Sequence, residues 1–253
     1  MDPLGEAMAE YEADRLEYSY KSCAFDIKPG TRKLLFVDLG ANKGLVSKYF
    51  YKYYRKRLSN PRSLELHIHA FEPLASKLKV FPRIANIQNE FDRVNSDSVA
   101  KCHEFVAWIQ DGTVSFSRGK KAFHTNSAVT DVWKDVGGDK DKFEFHDELA
   151  CIDISRWIMK KVTTTSYDAV FVKMDVEGSE YAIIDKLIED NTLAHIDKMF
   201  VEFHKRYRFE AEETSIKKCV DKIHKASETI LVYNESGRLN RERPASRYRI
   251  LSR

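Results

Sequence analysis

Glycine is sparse in this 253-residue chain, ten in all, and no stretch carries the three closely spaced glycines of a dinucleotide-binding turn. The four cysteines, Cys23, Cys102, Cys151 and Cys219, lie far apart with no C-x-x-C pair, so neither a zinc site nor a disulfide framework is implied and a reducing compartment is the default. No apolar run approaches the ~20 residues that span a bilayer, and the start, Met1 to Glu6, lacks the basic and apolar segments of a signal peptide. A soluble, cytoplasmic protein without membrane contact is expected. Charge of one sign is lacking too. Against 42 Lys and Arg stand 39 Asp and Glu, a net +3 that is too balanced to announce a nucleic-acid binder. Internal repeats and low-complexity tracts are absent.

What is present suits one large α/β domain: 43% hydrophobic residues with 12% aromatics supply a sizeable core. The domain is expected over 31–253, preceded by a helical extension over 1–30 in which Tyr11, Asp14, Arg15 and Tyr18 fall at helical spacings before Pro29-Gly30 breaks the chain. The organising stretch is Leu34 to Gly44. An apolar run of strand length ends in Asp38 and Gly40, and Gly44 follows just before the helical pattern of Leu45, Val46, Tyr49, Phe50, Tyr53 and Tyr54. Strand, tight turn and helix in that order place backbone amides and a helix N-terminus at the carboxyl end of a strand, where open α/β sheets bind ligands. The next strand, Leu64 to Phe71, ends in Glu72-Pro73, and a carboxylate there can accept hydrogen bonds from both hydroxyls of a ribose. G-x-G-x-x-G is missing, and Gly44 is followed by Leu45-Val46 rather than a P-loop lysine. A ribose without a pyrophosphate loop points to S-adenosylmethionine.

Further along, a short helix is expected after Pro73, broken by Pro82, and then a third strand from Cys102 to Ile109. Asp111-Gly112 between Trp108-Ile109 and Thr113 to Phe116 signals a β-hairpin. Residues 117–150 are polar and glycine-bearing and read as an inserted, substrate-side flap. Asp153 or Ser155 is a candidate N-cap for a helix through Trp157 and Ile158. The strand Tyr167 to Met174 carries Lys173 to its end with Asp175 beyond. Glu177 and Gly178 fall in the turn, and Glu180 reads as an ordinary first-turn helix charge. Lys198 to Phe203 adds Glu202 and His204 at the same sheet edge. Thr229 to Tyr233 and Tyr248 to Leu251 can close the sheet as an antiparallel pair.

Val37 to Gly44, Phe71-Glu72-Pro73, Lys173 to Glu180 and Val201-Glu202 together resemble the successive signatures of FkbM-type methyltransferases, members of the class I S-adenosylmethionine-dependent superfamily. The resemblance covers Leu34 to His204 in order, and its specific part is K-x-D-x-E-G-x-E. It implies a Rossmann-like fold: a seven-stranded, mostly parallel sheet with helices on both faces and the last strand antiparallel. It also implies O-methylation of a hydroxyl on a sugar, glycan or other small acceptor. The cofactor set would be Asp38, Gly40, Asn42, Gly44, Glu72 and Asp175.

Methyl transfer to an alcohol needs oxygen, carbon and sulfur nearly in line, and the alcohol must lose a proton. A neutral His204 or Asp175 could accept it, with Lys173 steadying oxyanion charge and Glu202 at the same edge. Alternatively Asp175, Glu177 and Glu202, with His204, could hold Mg²⁺ or Mn²⁺. The sequence leaves both open. Two rival functions stand beside this one. RNA ribose 2′-O-methylation would use the clusters Lys52 to Arg57 and Lys120-Lys121, although the expected K-D-K-E order is not legible. A binding module that kept the sheet and lost catalysis is the other.

Overall fold

The computed structural model describes residues 27–57, 64–94, 96–119, 127–129, 143–204, 212–236 and 249–251. The expected helix over residues 6–21 and the Lys120-Lys121 cluster lie outside these. Strand β1 (Lys33–Leu39) is a run of seven residues, six of them buried, because it sits mid-sheet with both faces covered. Its side chains alternate between two cores. Leu34 and Phe36 point into one with helices α1 (Leu45–Arg57) and α2 (Val80–Arg93), where the Phe36 and Phe50 rings stack 3.9 Å apart. Leu35, Val37 and Leu39 point into the other, with α3 (Ile154–Thr164), α4 (Glu180–Glu189) and α5 (Glu212–Ala226). Period-two alternation thus yields a sheet sandwiched by helices.

Around β1 run β2 (Glu65–Phe71), β3 (Val99–His103), β8 (Ala169–Met174), β9 (Lys198–His204), β10 (Ile230–Ser236) and β11 (Arg249–Leu251). The sheet order is β11-β10-β9-β8-β1-β2-β3, parallel throughout except the last pair, β10 with β11. The seven-stranded α/β fold expected from the sequence is therefore the fold observed. Strand order reverses at β1, which has β2 on one side and β8 on the other. Such a switch point opens a crevice at the carboxyl ends of the strands.

Three local expectations need correction. Pro82 does not end a helix but lies in the first turn of α2, where its missing N–H is one that no helical carbonyl would claim. Residues expected as one strand from Cys102 to Ile109 divide between β3 and β4 (Val106–Trp108), which belong to different sheets. Asp111-Gly112 is a turn, but not of a hairpin. The strands on either side, β4 and β5 (Gly112–Gly119), do not pair with each other, because β7 (Phe143–Asp153) lies between them, parallel to β4 and antiparallel to β5. With β6 (Ser127–Val129) these make a second sheet, β4-β7-β5-β6. The described part of the 117–150 insertion is therefore strand, not loop. The second sheet has its own small core of Val106, Val114, Phe116, Val129 and Cys151, closed by Leu74 from the segment after β2.

Asp153 caps α3, its side chain accepting from the Arg156 amide at 2.9 Å. On the β2–β3 edge, His69 Nδ1 and His103 Nε2 share a hydrogen bond of 2.9 Å beneath the edge of Trp157. Burial drives the pKa of His69 down to about 2 and that of His103 to about 4, with the charge of Lys161 adding to both. Among the described residues no helix is long and apolar enough to cross a membrane.

Candidate active site

A cleft of about 670 Å³, counting the space at its mouth, opens at the switch point. Gly40, Asn42 and Glu72 line it together with Asp175, Val176, Glu177 and Ser179. Val106, Ala107, Phe116 and Val129 from the second sheet, with Leu74 and Leu78, form an apolar wall. The second sheet thus contributes a side of the cleft.

The turn after β1 is held from both neighbouring strands. Gly40 and Ala41 donate to the Phe71 carbonyl at 3.0 and 2.9 Å, and the Asp175 amide donates to the Leu39 carbonyl at 3.1 Å. Gly40 has φ +69°, and a Cβ there would stand 1.8 Å from the Asp175 carbonyl oxygen. Only glycine lets the two strand ends approach so closely.

Glu72 is 7% exposed and lines the cleft. Its two oxygens accept from the backbone amides of Asn42 (2.9 Å) and Leu74 (3.1 Å). Burial pushes its carboxyl up to about 7, against the pull of those amides and of Lys173. Each carboxylate oxygen retains a lone pair beyond these contacts.

Asp38 and Gly44 do not touch the cleft, contrary to the cofactor-binding role expected of them. Asp38 is fully buried, accepts from Ser47 Oγ at 2.7 Å, and stands 3.3 Å from the Lys173 ammonium. In the β1–β8 register Asp38 and Lys173 are direct partners, which is why they meet. Gly44 packs on α2 instead: a Cβ there would lie 3.3 Å from Val80 Cγ1.

Lys173 is 3% exposed and spends its ammonium on the Gly40 carbonyl (2.7 Å), Asp38 and Asp175 (each 3.3 Å). Burial opposes its charge, but Asp175 and Asp38 outweigh burial and hold its pKa above the ordinary lysine value. It therefore does not face a substrate oxyanion, as the sequence had suggested. It ties the glycine turn to Asp175.

His204 departs from expectation in the same way. Its Nδ1 lies 2.7 Å from Glu180 Oε1, and its Nε2 lies 3.3 Å from Glu177 Oε2 and 3.7 Å from Asp175 Oδ1. Burial alone would lower its pKa; the hydrogen bond and charge of Glu180, with Glu177 and Asp175, raise it to about 10. These carboxylates favour the protonated ring over the neutral proton acceptor expected. Burial also pushes Glu177 up to about 8; His204 pulls it down while Asp175, Glu180 and Glu202 push it further up. Glu202 is raised by burial and by Asp175.

The metal set suggested by the sequence, Asp175, Glu177 and Glu202, does not assemble as such. Asp175, Glu177 and His204 bring one ligand atom each within 4.8 Å of the others, and Glu202 is not among them. Glu180, read from sequence as an ordinary first-turn helix charge, is fully buried and accepts from both His204 Nδ1 and the Val176 amide. Its spacing from Glu177, three residues within a helix start, gave no sign of this. The apolar wall from β4 to β6 was equally invisible, since its partners lie far along the chain.

Residues 38–228 match the family model described as "Methyltransferase FkbM domain". Comparisons with curated proteins and with solved structures gave no match.

Proposed function

The chain belongs to the FkbM methyltransferase family, and from that premise we propose that it transfers a methyl group from S-adenosylmethionine to a hydroxyl of a sugar, glycan or other small hydroxylated acceptor. The observation that carries this reading is the cleft itself. It brings Glu72 and the Gly40–Asn42 turn together with Asp175 and Glu177 in one lining. The residues present fit the cofactor. A buried carboxylate braced by two amides suits a ribose diol, and a turn from which a Cβ is excluded suits a close backbone approach. The absence of a third glycine and of a P-loop lysine argues against a pyrophosphate or triphosphate ligand.

S-Adenosylmethionine supplies an electrophilic methyl group on a sulfonium sulfur. The acceptor oxygen forms the new C–O bond as the C–S bond breaks, its electron pair stays on sulfur, and the hydroxyl proton departs. This chain's part is largely positioning. Glu72 fixes the nucleoside end, and the apolar wall of Val106, Phe116 and Val129 excludes water from it. Asp175, about a third exposed at the cleft and oriented by Lys173, accepts a hydrogen bond from the acceptor hydroxyl and draws off its proton.

The test is calorimetry with S-adenosylhomocysteine and NAD, followed by transfer from labelled S-adenosylmethionine to a panel of glycans, small alcohols and RNAs. Saturable S-adenosylhomocysteine binding without NAD competition, and label on a hydroxyl of a small acceptor, support the proposal. Tighter binding of NAD, or label on RNA alone, would overturn it.

A further inference from the structure

We infer that Asp175, Glu177 and His204 form a divalent-cation site at the acceptor end of the cleft, with Glu180 fixing the orientation of the imidazole. The ligand atoms, two carboxylate oxygens and one imidazole nitrogen, lie within 4.8 Å of one another. Around Mg²⁺ or Mn²⁺, ligands at ~2.1 Å and right angles sit about 3 Å apart, so small rotamer changes complete the set. Two carboxylates and a single nitrogen favour these hard ions over zinc.

Two further observations point to a missing cation. The first is the arrangement behind the imidazole. Glu180 Oε1 takes His204 Nδ1 at 2.7 Å, which leaves Nε2 facing Glu177 and Asp175. A carboxylate behind the distal ring nitrogen is how metal-bound imidazoles are held. The second is charge. Glu180 is fully buried, and its other oxygen, Oε2, has no hydrogen-bond partner. A buried carboxylate oxygen left without a donor is costly, and a positive charge close by offsets that cost. Asp175 and Glu177 line the cleft, so an ion held there keeps coordination positions open to water or to an acceptor.

The role of the ion rests on the methyl-transfer reading. A carboxylate is a weak base for an alcohol, whereas a coordinated hydroxyl is far more acidic than a free one. Asp175, Glu177 and His204 would hold the ion, which would supply Lewis acidity toward an acceptor hydroxyl at the cleft, and water at the open mouth would take the proton in place of Asp175.

The experiment titrates Mn²⁺ into the chelator-treated full chain, followed by electron paramagnetic resonance and calorimetry, with no nucleoside present. One saturable site per chain is expected. Glu177→Gln and His204→Gln should each weaken it at least tenfold, and Glu202→Gln should stay within threefold of wild type. Circular dichroism checks each fold. Should His204→Gln fail to fold, Glu177→Gln decides alone, since Glu177 lines the open cleft and its ion pair among the described residues is with His204. No saturable Mn²⁺, binding unchanged in Glu177→Gln, or binding lost in Glu202→Gln would each overturn the inference. S-Adenosylhomocysteine calorimetry on the same samples separates the two readings. Nucleoside binding without Mn²⁺ binding removes the cation site alone, and the reverse removes the methyl-transfer reading while leaving the cation site.

Discussion

Glu72 braces two backbone amides and faces the cleft with a single carboxyl group, whose protonation changes near neutral pH. A ribose diol donates best to the ionised form. Affinity for S-adenosylhomocysteine should therefore fall as pH drops through about 7, and calorimetry between pH 6 and 8 checks it. In Glu72→Gln the pH dependence should flatten, with affinity at pH 8 at least tenfold weaker, because two charge-assisted bonds become neutral ones at a cost of ~1 kcal/mol each. Stability runs the other way. The folded pKa is raised, so this group's contribution is fully present below the unfolded value of 4.5 and is lost as pH rises through about 7. Gly40 offers a second test at this scale. Gly40→Ala combines φ +69° with a clash against the Asp175 carbonyl, whereas Gly30→Ala shares a positive φ of +90° but meets nothing within 4 Å. Thermal unfolding should show Gly30→Ala costing about 1 kcal/mol, the strain alone, and Gly40→Ala well over twice that, with loss of nucleoside binding. Equal costs would show that the close approach of the two strand ends is not rigid.

At the scale of elements, the second sheet is what distinguishes this cleft from a plain switch-point crevice. Phe116 on β5 is 5% exposed, packs in the small third core and lines the cleft. Phe116→Ala should cost ~3 kcal/mol of stability by leaving a cavity, and should also weaken S-adenosylhomocysteine binding. A variant destabilised but binding normally would mean that this wall faces no ligand. The legibility of the sequence also divides at this scale. Strands β1 and β8 could be read because they are buried on both faces, so Leu34 to Val37 and Ala169 to Val172 are unbroken apolar runs, followed at once by Asp38 and Lys173. Their neighbours in the site, Asp38 opposite Lys173, follow from register once the two strands pair. Asp111-Gly112 misled because a turn signal is local and says nothing about pairing. The ladder of β5 goes to β7, some thirty residues on, rather than to the strand just before the turn. Glu180 and Glu202 were misplaced for a similar reason: helix position and strand end fix where a carboxylate starts, but not which imidazole it meets.

For the whole molecule, the neutral buried pair His69 and His103 sets a cost at acid pH. Both folded pKa values lie below the ordinary 6.5, at about 2 and about 4. Their contribution is present above 6.5 and is lost as pH falls, because the unfolded chain takes up protons that the folded chain refuses. His69→Phe keeps a ring beside Trp157 while removing one of the two titrating groups. The difference in melting temperature between this variant and wild type should shift in the variant's favour as pH falls from 7 to 5. A difference independent of pH would show that the fold does not lower the pKa of His69.

Lys173 bonds the Gly40 carbonyl of the nucleoside turn and pairs with Asp175 of the acceptor end, so one buried ammonium belongs to both halves of the cleft. Under the proposed function the two ligands should therefore be thermodynamically linked. An acceptor that draws on Asp175 redistributes the attraction that holds the turn, and a nucleoside that settles the turn presets Asp175. Such linkage is reciprocal: whatever factor the nucleoside contributes to acceptor affinity, the acceptor returns to the nucleoside. Replacing Lys173 by Met should bring that factor close to one, which makes the order of substrate addition a property of a side chain that touches neither substrate.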